Sequence, residues 1–149
     1  MKRSEINRAI SAAKDMLRVY RWQLPVWADW TKEEYLANPD VSAWLRAHQM
    51  GWDVTDFGSD DFSRRGLSLF CLRNGIQAER NSTPYAEKLL FVGEGQETPF
   101  HMHKVKLEDI INRGGGDLMI EFRQGVSHER PIKLRCDGIV HRLEPDEPL

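Results

Sequence analysis

The chain has few cysteines and no long apolar run, and these shortages exclude several classes of protein. Its 149 residues include only two cysteines, Cys71 and Cys136, which stand apart with no CxxC pair. No disulfide framework is therefore expected. The longest apolar stretch, LSLFCL at 67–72, falls far short of the ~20 residues that span a bilayer. The N-terminal stretch carries basic residues but lacks the apolar segment of a secretory signal.

An excess of charge of one sign is also absent. The 21 Lys and Arg residues face 23 Asp and Glu residues, which gives a net charge of -2 with the signs interspersed. Binding to nucleic acid through counterion release needs a basic stripe, so no nucleic-acid partner is expected. Hydrophobic residues make up 40% of the chain, enough to build a core at this length. We expect a soluble globular protein of the cytoplasm with no membrane association.

The chain changes character near residue 52, which predicts a helical segment over 1–52 and a β domain over 53–149. All five tryptophans precede this point, and most glycines follow it. Apolar residues between Ile6 and Tyr20 recur at spacings of three and four, which predicts one face of a helix capped by Ser4. Thr31 and Glu34 have the spacing of a capping box and predict a second helix, which Pro39 ends before a third over 41–48.

The part after residue 52 is predicted to be mainly β. The run Leu67–Arg73 is rich in apolar residues and is followed by Asn74-Gly75, a signal for a tight turn. Short strands separated by glycine turns indicate an antiparallel barrel or sandwich. Four further strands are predicted: Glu87–Val92, Glu97–His103, Asp117–Arg123 and Ile132–Arg135. The last of them leads to Asp137-Gly138, which predicts a turn.

The segment from His101 to Glu108 carries the strongest chemical signal. On a strand, residues two apart project to the same side at a spacing of about 6.6 Å, so His101 and His103 would place two imidazoles side by side. Two imidazoles and a carboxylate suit Mn, Fe, Co, Ni or Zn and leave positions for water or substrate. Glu108 has the wrong parity for a continuous strand, so it joins the site only if the chain bends within Lys104–Leu107.

Two alternatives stay open at this point. A histidine pair of this spacing also occurs by chance, either exposed or packed in a core. The tryptophans could supply a stacking platform for a sugar, with Trp27 at the mouth of the site, or could pack the helical segment on the barrel. His141 follows Gly138 at a spacing that weakly suggests a further ligand.

The chain resembles the cupin superfamily, and within it the D-lyxose ketol-isomerase family. The histidine pair followed by a glutamate is similar to the first metal motif of cupins. The resemblance runs nearly end to end and is carried by MKRSEIN at the N-terminus, GWDVTDFG at 51–58, GLSLFCLRNG at 66–75, YAEK at 85–88 and EDIINRGGG at 108–116.

This resemblance implies a cupin-type antiparallel β-barrel (jelly roll) that is incomplete at the C-terminus. It implies that His101, His103 and Glu108 bind a divalent metal, Mn2+ before Co2+, Zn2+, Ni2+ or Fe2+. Lys88 would serve as a catalytic and substrate-binding residue in the same cavity. The family's fourth ligand, a later histidine, and its C-terminal carboxylates would lie beyond Leu149.

The implied activity is a sugar isomerase that interconverts D-lyxose and D-xylulose, working as a homodimer. Two alternatives remain. One is a non-catalytic or degenerate cupin that binds sugar, and the other is a different cupin metalloenzyme, such as an Fe(II) dioxygenase.

Overall fold

The computed structural model describes residues 1–76, 79–103, 107–122 and 132–143. The chain forms two compact units, Met1–Pro99 and Phe100–Leu149, and each is described by itself. The predicted boundary at residue 52 falls within the first strand of the first unit. Within the described residues, no helix combines the length and apolar character that crossing a membrane requires.

Helix α1 spans Arg3–Val19 and places Ala9, Ala13 and Leu17 on its buried side, as the apolar spacing predicts. The predicted cap at Ser4 is wrong, because the N-cap residue is Lys2, two positions earlier, and Ser4 lies within the first turn of the helix. The backbone N–H of Lys2 donates to Glu5 Oε2 at 2.5 Å, so the Glu5 carboxylate satisfies a donor at the start of the helix.

Two short helices follow a single 3-10 turn at Val26–Asp29. Helix α2 spans Lys32–Ala37, and its predicted capping box is confirmed. Thr31 Oγ1 accepts from the Glu34 N–H at 3.3 Å, and Glu34 Oε2 accepts from the Thr31 N–H at 2.6 Å. Helix α3 spans Pro39–Ala47, and Pro39 occupies its first turn, where the missing N–H costs no hydrogen bond.

Three antiparallel strands form the sheet of the first unit in the order β1-β2-β3: Gly51–Thr55, Leu67–Arg73 and Glu87–Phe91. The strands predicted at β2 and β3 are confirmed. The tight turn predicted at Asn74-Gly75 is wrong, because β2 and β3 pair across a longer connection. Gly75 serves a close backbone approach instead, since a Cβ there would lie 1.6 Å from Thr83 O. The Asn74 side chain donates to His48 O at 2.9 Å and ties the connection to the end of α3.

The core of the first unit lies between α1 and one face of this sheet. Phe70, at the centre of β2, is 0% exposed and packs with Ala13, Leu17 and Phe91. Trp27 stacks on the Phe70 ring with centroids 5.1 Å apart, and the indole of Trp52 meets the same ring edge-on at 5.0 Å. The aromatic residues therefore join the helical segment to the sheet.

The second unit contains an antiparallel hairpin of β4, Ile132–Cys136, and β5, Ile139–Leu143. Asp137 and Gly138 have φ values of 47° and 85°, which fits the two-residue turn that their sequence predicts. The predicted strands are wrong at 97–103 and 117–122, since these positions have no regular secondary structure apart from a single bridge at Glu97, and position 123 lies outside the described residues. Alternation of side chains does not make a strand without a partner for the backbone hydrogen bonds.

Antiparallel sheets with a helical N-terminus are consistent with an incomplete cupin-type fold. Within the described residues the five strands form one three-stranded and one two-stranded sheet, and they do not close into a barrel.

Candidate metal centre

His101 and His103 are neighbours in space at the start of the second unit. Their ring centroids lie 4.7 Å apart with the ring planes at 79°. The sequence predicted this proximity from strand geometry, but the backbone at 101–103 is irregular. The side chains converge without a sheet, so their approach depends on the local path of the chain.

Glu108 joins the two histidines, which was the geometric requirement of the sequence interpretation. Its Oε1 atom lies 3.1 Å from His103 Nε2. One ligand atom from each of the three side chains can be chosen so that all lie within 4.8 Å of one another. The predicted bend over Lys104–Leu107 falls mostly on 104–106, which lie outside the described residues.

This donor set fits a divalent transition metal. At ligand bonds of about 2.0–2.2 Å, two ligands of one ion lie roughly 3–4.4 Å apart. The 3.1 Å between His103 Nε2 and Glu108 Oε1 falls within this range. All the ligand atoms lie within 4.8 Å of one another, so a small side-chain rotation would bring the whole cluster within it. Neutral imidazoles with a carboxylate are the ligand types that Mn, Fe, Co, Ni and Zn accept.

An ion pair alone gives a weaker account of the same cluster. The His103 and Glu108 side chains are 31% and 40% exposed, and a pair at that exposure contributes about 0.2–1 kcal/mol to stability. Such a pair also gives no reason for a second imidazole, that of His101, beside it. The metal interpretation uses all three side chains.

The turn after Glu108 is held by Asn112. The Asn112 Oδ1 atom accepts from the Gly114 N–H at 3.0 Å, and its Nδ2 donates to Gly116 O at 2.8 Å. Gly114 and Gly115 have φ values of 130° and 99°, a region that glycine enters without strain. The glycine run is therefore a turn bridged by the Asn112 side chain. The bridging role of Asn112 was missed, although asparagine before glycine is a known turn signal.

The other predicted site residues lie elsewhere in the fold. Lys88 is an exposed residue of β3 in the first unit, and its catalytic role stays a prediction. Trp27 is half-buried on Phe70, and its carbonyl accepts from the Tyr35 hydroxyl at 3.0 Å. Burial raises the pKa of Tyr35. This packing matches the structural alternative for Trp27, and a contact with sugar stays a prediction. His141 is exposed on β5, opposite Leu134.

Antiparallel sheets after a helical N-terminus, together with the His/His/Glu cluster, are consistent with the class of cupin-type proteins that have a site for a divalent ion. A sequence model of the D-lyxose isomerase family matches residues 1–149, and the chain belongs to that family. A D-lyxose/D-mannose isomerase of Serratia proteamaculans is 38% identical over 146 residues, covering 93% of this chain and 63% of the relative. A D-lyxose/D-mannose isomerase of Escherichia coli O157:H7 is 39% identical over 133 residues, covering 87% of this chain and 58% of the relative. The chain thus spans about three fifths of the length of these relatives.

Proposed function

We propose that this protein is a metal-dependent aldose–ketose isomerase that interconverts D-lyxose and D-xylulose. The observation that carries the proposal is the convergence of His101, His103 and Glu108 in a chain of the D-lyxose isomerase family. The named relatives act on D-lyxose and D-mannose, so D-mannose is a second candidate substrate.

The chemistry assigns a role to each proposed residue. Isomerisation moves one proton from C2 to C1 and another from O2 to O1, with no atom gained or lost. A divalent ion at the site would supply electrophilic stabilisation of the negative charge that develops on the sugar oxygens. The two neutral imidazoles and the Glu108 carboxylate hold the ion, and Lys88 donates hydrogen bonds to a sugar oxygen as that charge develops.

Mn2+ is the proposed ion, with Co2+, Zn2+, Ni2+ and Fe2+ as the other candidates that this donor set accepts. The cytoplasm is the proposed compartment, because Cys71 and Cys136 are both free thiols. A homodimer is the proposed assembly. Strands β1 and β3 lie at the two edges of the three-stranded sheet, and edge strands readily pair with another chain. Light scattering of the purified chain measures this directly.

The metal assignment is tested with His101→Ala, His103→Ala and Glu108→Gln, with His48→Ala as the matched control. His48 is a half-buried histidine of the first unit whose Nδ1 lies 2.9 Å from Trp44 O. We expect wild type and H48A to retain about one Mn2+ per chain after dialysis, and the three site variants to retain none. Elemental analysis gives the stoichiometry.

A thermal assay gives a second readout that does not depend on turnover. An ion at 100 times its Kd stabilises the folded state by about 2.7 kcal/mol. For a chain of this size, that corresponds to a rise in Tm of roughly 5–10 °C. The rise should appear in wild type and H48A and be absent in H103A. An equal rise in H103A would refute the ligand assignment.

Activity assays separate the isomerase from its alternatives. Ketose formation from D-lyxose or D-mannose by the Mn2+-loaded protein supports the proposal. Sugar binding without ketose formation would favour a non-catalytic sugar-binding protein. Oxygen consumption that requires Fe2+ would favour a dioxygenase, since the same donor set also serves that chemistry.

A further inference from the structure

The sequence contains one asparagine that is followed by glycine, Asn74 before Gly75. Asparagine is a thermolabile residue, and a following glycine has no side chain to shield its own backbone nitrogen. That nitrogen can attack the asparagine side chain: a bond forms between Gly75 N and Asn74 Cγ, the bond from Cγ to Nδ2 breaks, and ammonia leaves with the proton of the Gly75 N–H. Water then opens the resulting five-membered imide to aspartate or to isoaspartate. The covalent chemistry of the pair thus permits spontaneous deamidation.

The structure engages the leaving group of this reaction. Asn74 is half-buried, and its Nδ2 donates to His48 O at 2.9 Å. Loss of Nδ2 as ammonia breaks this hydrogen bond, so the bond must be given up before the imide can form. The tie between the end of α3 and the end of β2 therefore opposes deamidation.

The attacking group is held as well. A Cβ at Gly75 would lie 1.6 Å from Thr83 O, so the Gly75 backbone packs directly on the backbone at Thr83. The next N–H, that of Ile76, donates to Ser82 Oγ at 2.7 Å. Closure of the imide ring draws the Gly75 nitrogen toward Cγ, and these two contacts resist that movement.

The product of deamidation cannot restore the tie. An ionised aspartate is acceptor-only, so it has no hydrogen to donate to His48 O. The carbonyl would then face a carboxylate in place of an amide donor, and a lost hydrogen bond of this kind destabilises the fold. Isoaspartate in addition lengthens the backbone by one carbon beside the close contact of Gly75 with Thr83.

We propose that Asn74 is a deamidation site that the fold protects, and that its modification releases the end of α3 from the sheet. The reaction proceeds from molecules in which the connection between Asn74 and Thr83 has opened, so its rate follows the free energy of that local opening. Each modified chain opens more readily than an unmodified one. This inference is independent of the proposed isomerase function.

The rate is measured on the full 149-residue chain, incubated at mildly alkaline pH either folded or unfolded in urea. Peptide mapping by mass spectrometry locates each amide that becomes an acid. A synthetic peptide, LRNGI, incubated with and without urea gives the effect of urea on the chemistry itself. Asn81, an exposed asparagine followed by Ser82, is the internal comparison.

We expect Asn74 to deamidate roughly tenfold or more slowly in the folded chain than in the unfolded chain, where each tenfold corresponds to about 1.4 kcal/mol of opening. The peptide should react at one rate in both solutions, and the rate at Asn81 should change less than that at Asn74. Equal rates at Asn74 in the folded and unfolded chain overturn the proposed protection. An unfolded chain that does not deamidate at Asn74 overturns the proposed site.

The consequence of modification is tested with Asn74→Asp, and Asn81→Asp is the matched control. Both variants replace an asparagine amide with a carboxylate, but only N74D removes the donor to His48 O. We expect Tm of N74D to fall by roughly 2–6 °C, the range for one lost hydrogen bond in a chain of this size, and Tm of N81D to match wild type. Equal Tm values for the two variants would overturn the role of Asn74 as a tie.

Discussion

Gly66, the residue before β2, lies beneath a side-chain clamp formed by Gln96. Gln96 Nε2 donates to Phe62 O at 2.5 Å, and Gln96 Oε1 accepts from the Gly93 N–H at 2.9 Å. The Gly66 N–H donates to Glu97 O at 3.1 Å. One small residue thus permits two loops to meet beside the central strand of the sheet.

Replacing Gly66 with alanine should break this arrangement. A Cβ at this position would lie 2.5 Å from Phe62 O and 2.9 Å from Gln96 Nε2. The first contact is with backbone, which cannot move without disturbing the loop. Overpacking of this kind costs about 1–3 kcal/mol, and each hydrogen bond lost from the clamp adds about 0.5–1.5 kcal/mol. We expect Gly66→Ala to lower the free energy of unfolding by about 2–4 kcal/mol.

Urea unfolding monitored by tryptophan fluorescence measures this loss, and Tm should fall by roughly 5–15 °C. Gly93→Ala is the matched control in the same clamp. A Cβ at Gly93 would meet Gln96 atoms at 3.7 and 3.8 Å, which is ordinary van der Waals contact. We expect that variant to lie within about 1 kcal/mol of wild type. Equal stability of the two variants would refute the steric argument.

Two further predictions concern the same unit. Phe70→Ala should lower the free energy of unfolding by about 3–5 kcal/mol in urea and shift tryptophan emission, because Phe70 is fully buried against Trp27 and Trp52. The Gly58 N–H, donating to Asp56 Oδ1 at 3.0 Å, lowers the pKa of Asp56, with the Met1 ammonium adding to the effect. The ionised Asp56 carboxylate should therefore stabilise the fold above about pH 4, and this contribution should be lost as the pH falls through the lowered pKa. Asp56→Asn should remove that part of the pH dependence of Tm. If Tm of this variant falls at acidic pH as much as that of wild type, the assignment to Asp56 is contradicted.

The elements predicted correctly are those that short-range chemistry determines. The capping box of Thr31 and Glu34, the Asp137-Gly138 turn and the apolar run of β2 each depend on residues close in the chain. The N-cap of α1 was misplaced because the sequence offered Ser4 as a hydroxyl acceptor, whereas the Glu5 carboxylate bonds the Lys2 N–H. Local signals thus located the helix but not its first residue.

The errors in the β region come from contacts between distant residues. Asn74-Gly75 has the sequence of a tight turn, but Gly75 packs on the Thr83 backbone, which the local sequence does not reveal. The alternating residues of 97–103 predicted a strand, yet Glu97 has only a single bridge, to Arg65. A strand needs a partner along its length, and period-two alternation does not say where that partner is.

The residues of the candidate site were also predicted only in part. His101, His103 and Glu108 were identified from spacing and family resemblance, and the structure brings their ligand atoms together. Lys88 was assigned to the site by the family resemblance alone; it lies on β3 of the first unit, and its role stays a prediction.

The convergence of the metal ligands depends on the local path of the chain, because all three come from the segment 101–108. Phe70 belongs to the core of the first unit, whereas the ligands belong to the second. We therefore expect Phe70→Ala to lower the retention of Mn2+ less than His103→Ala does. Equal loss of the ion in the two variants would show that the ligand segment needs the intact core for its conformation.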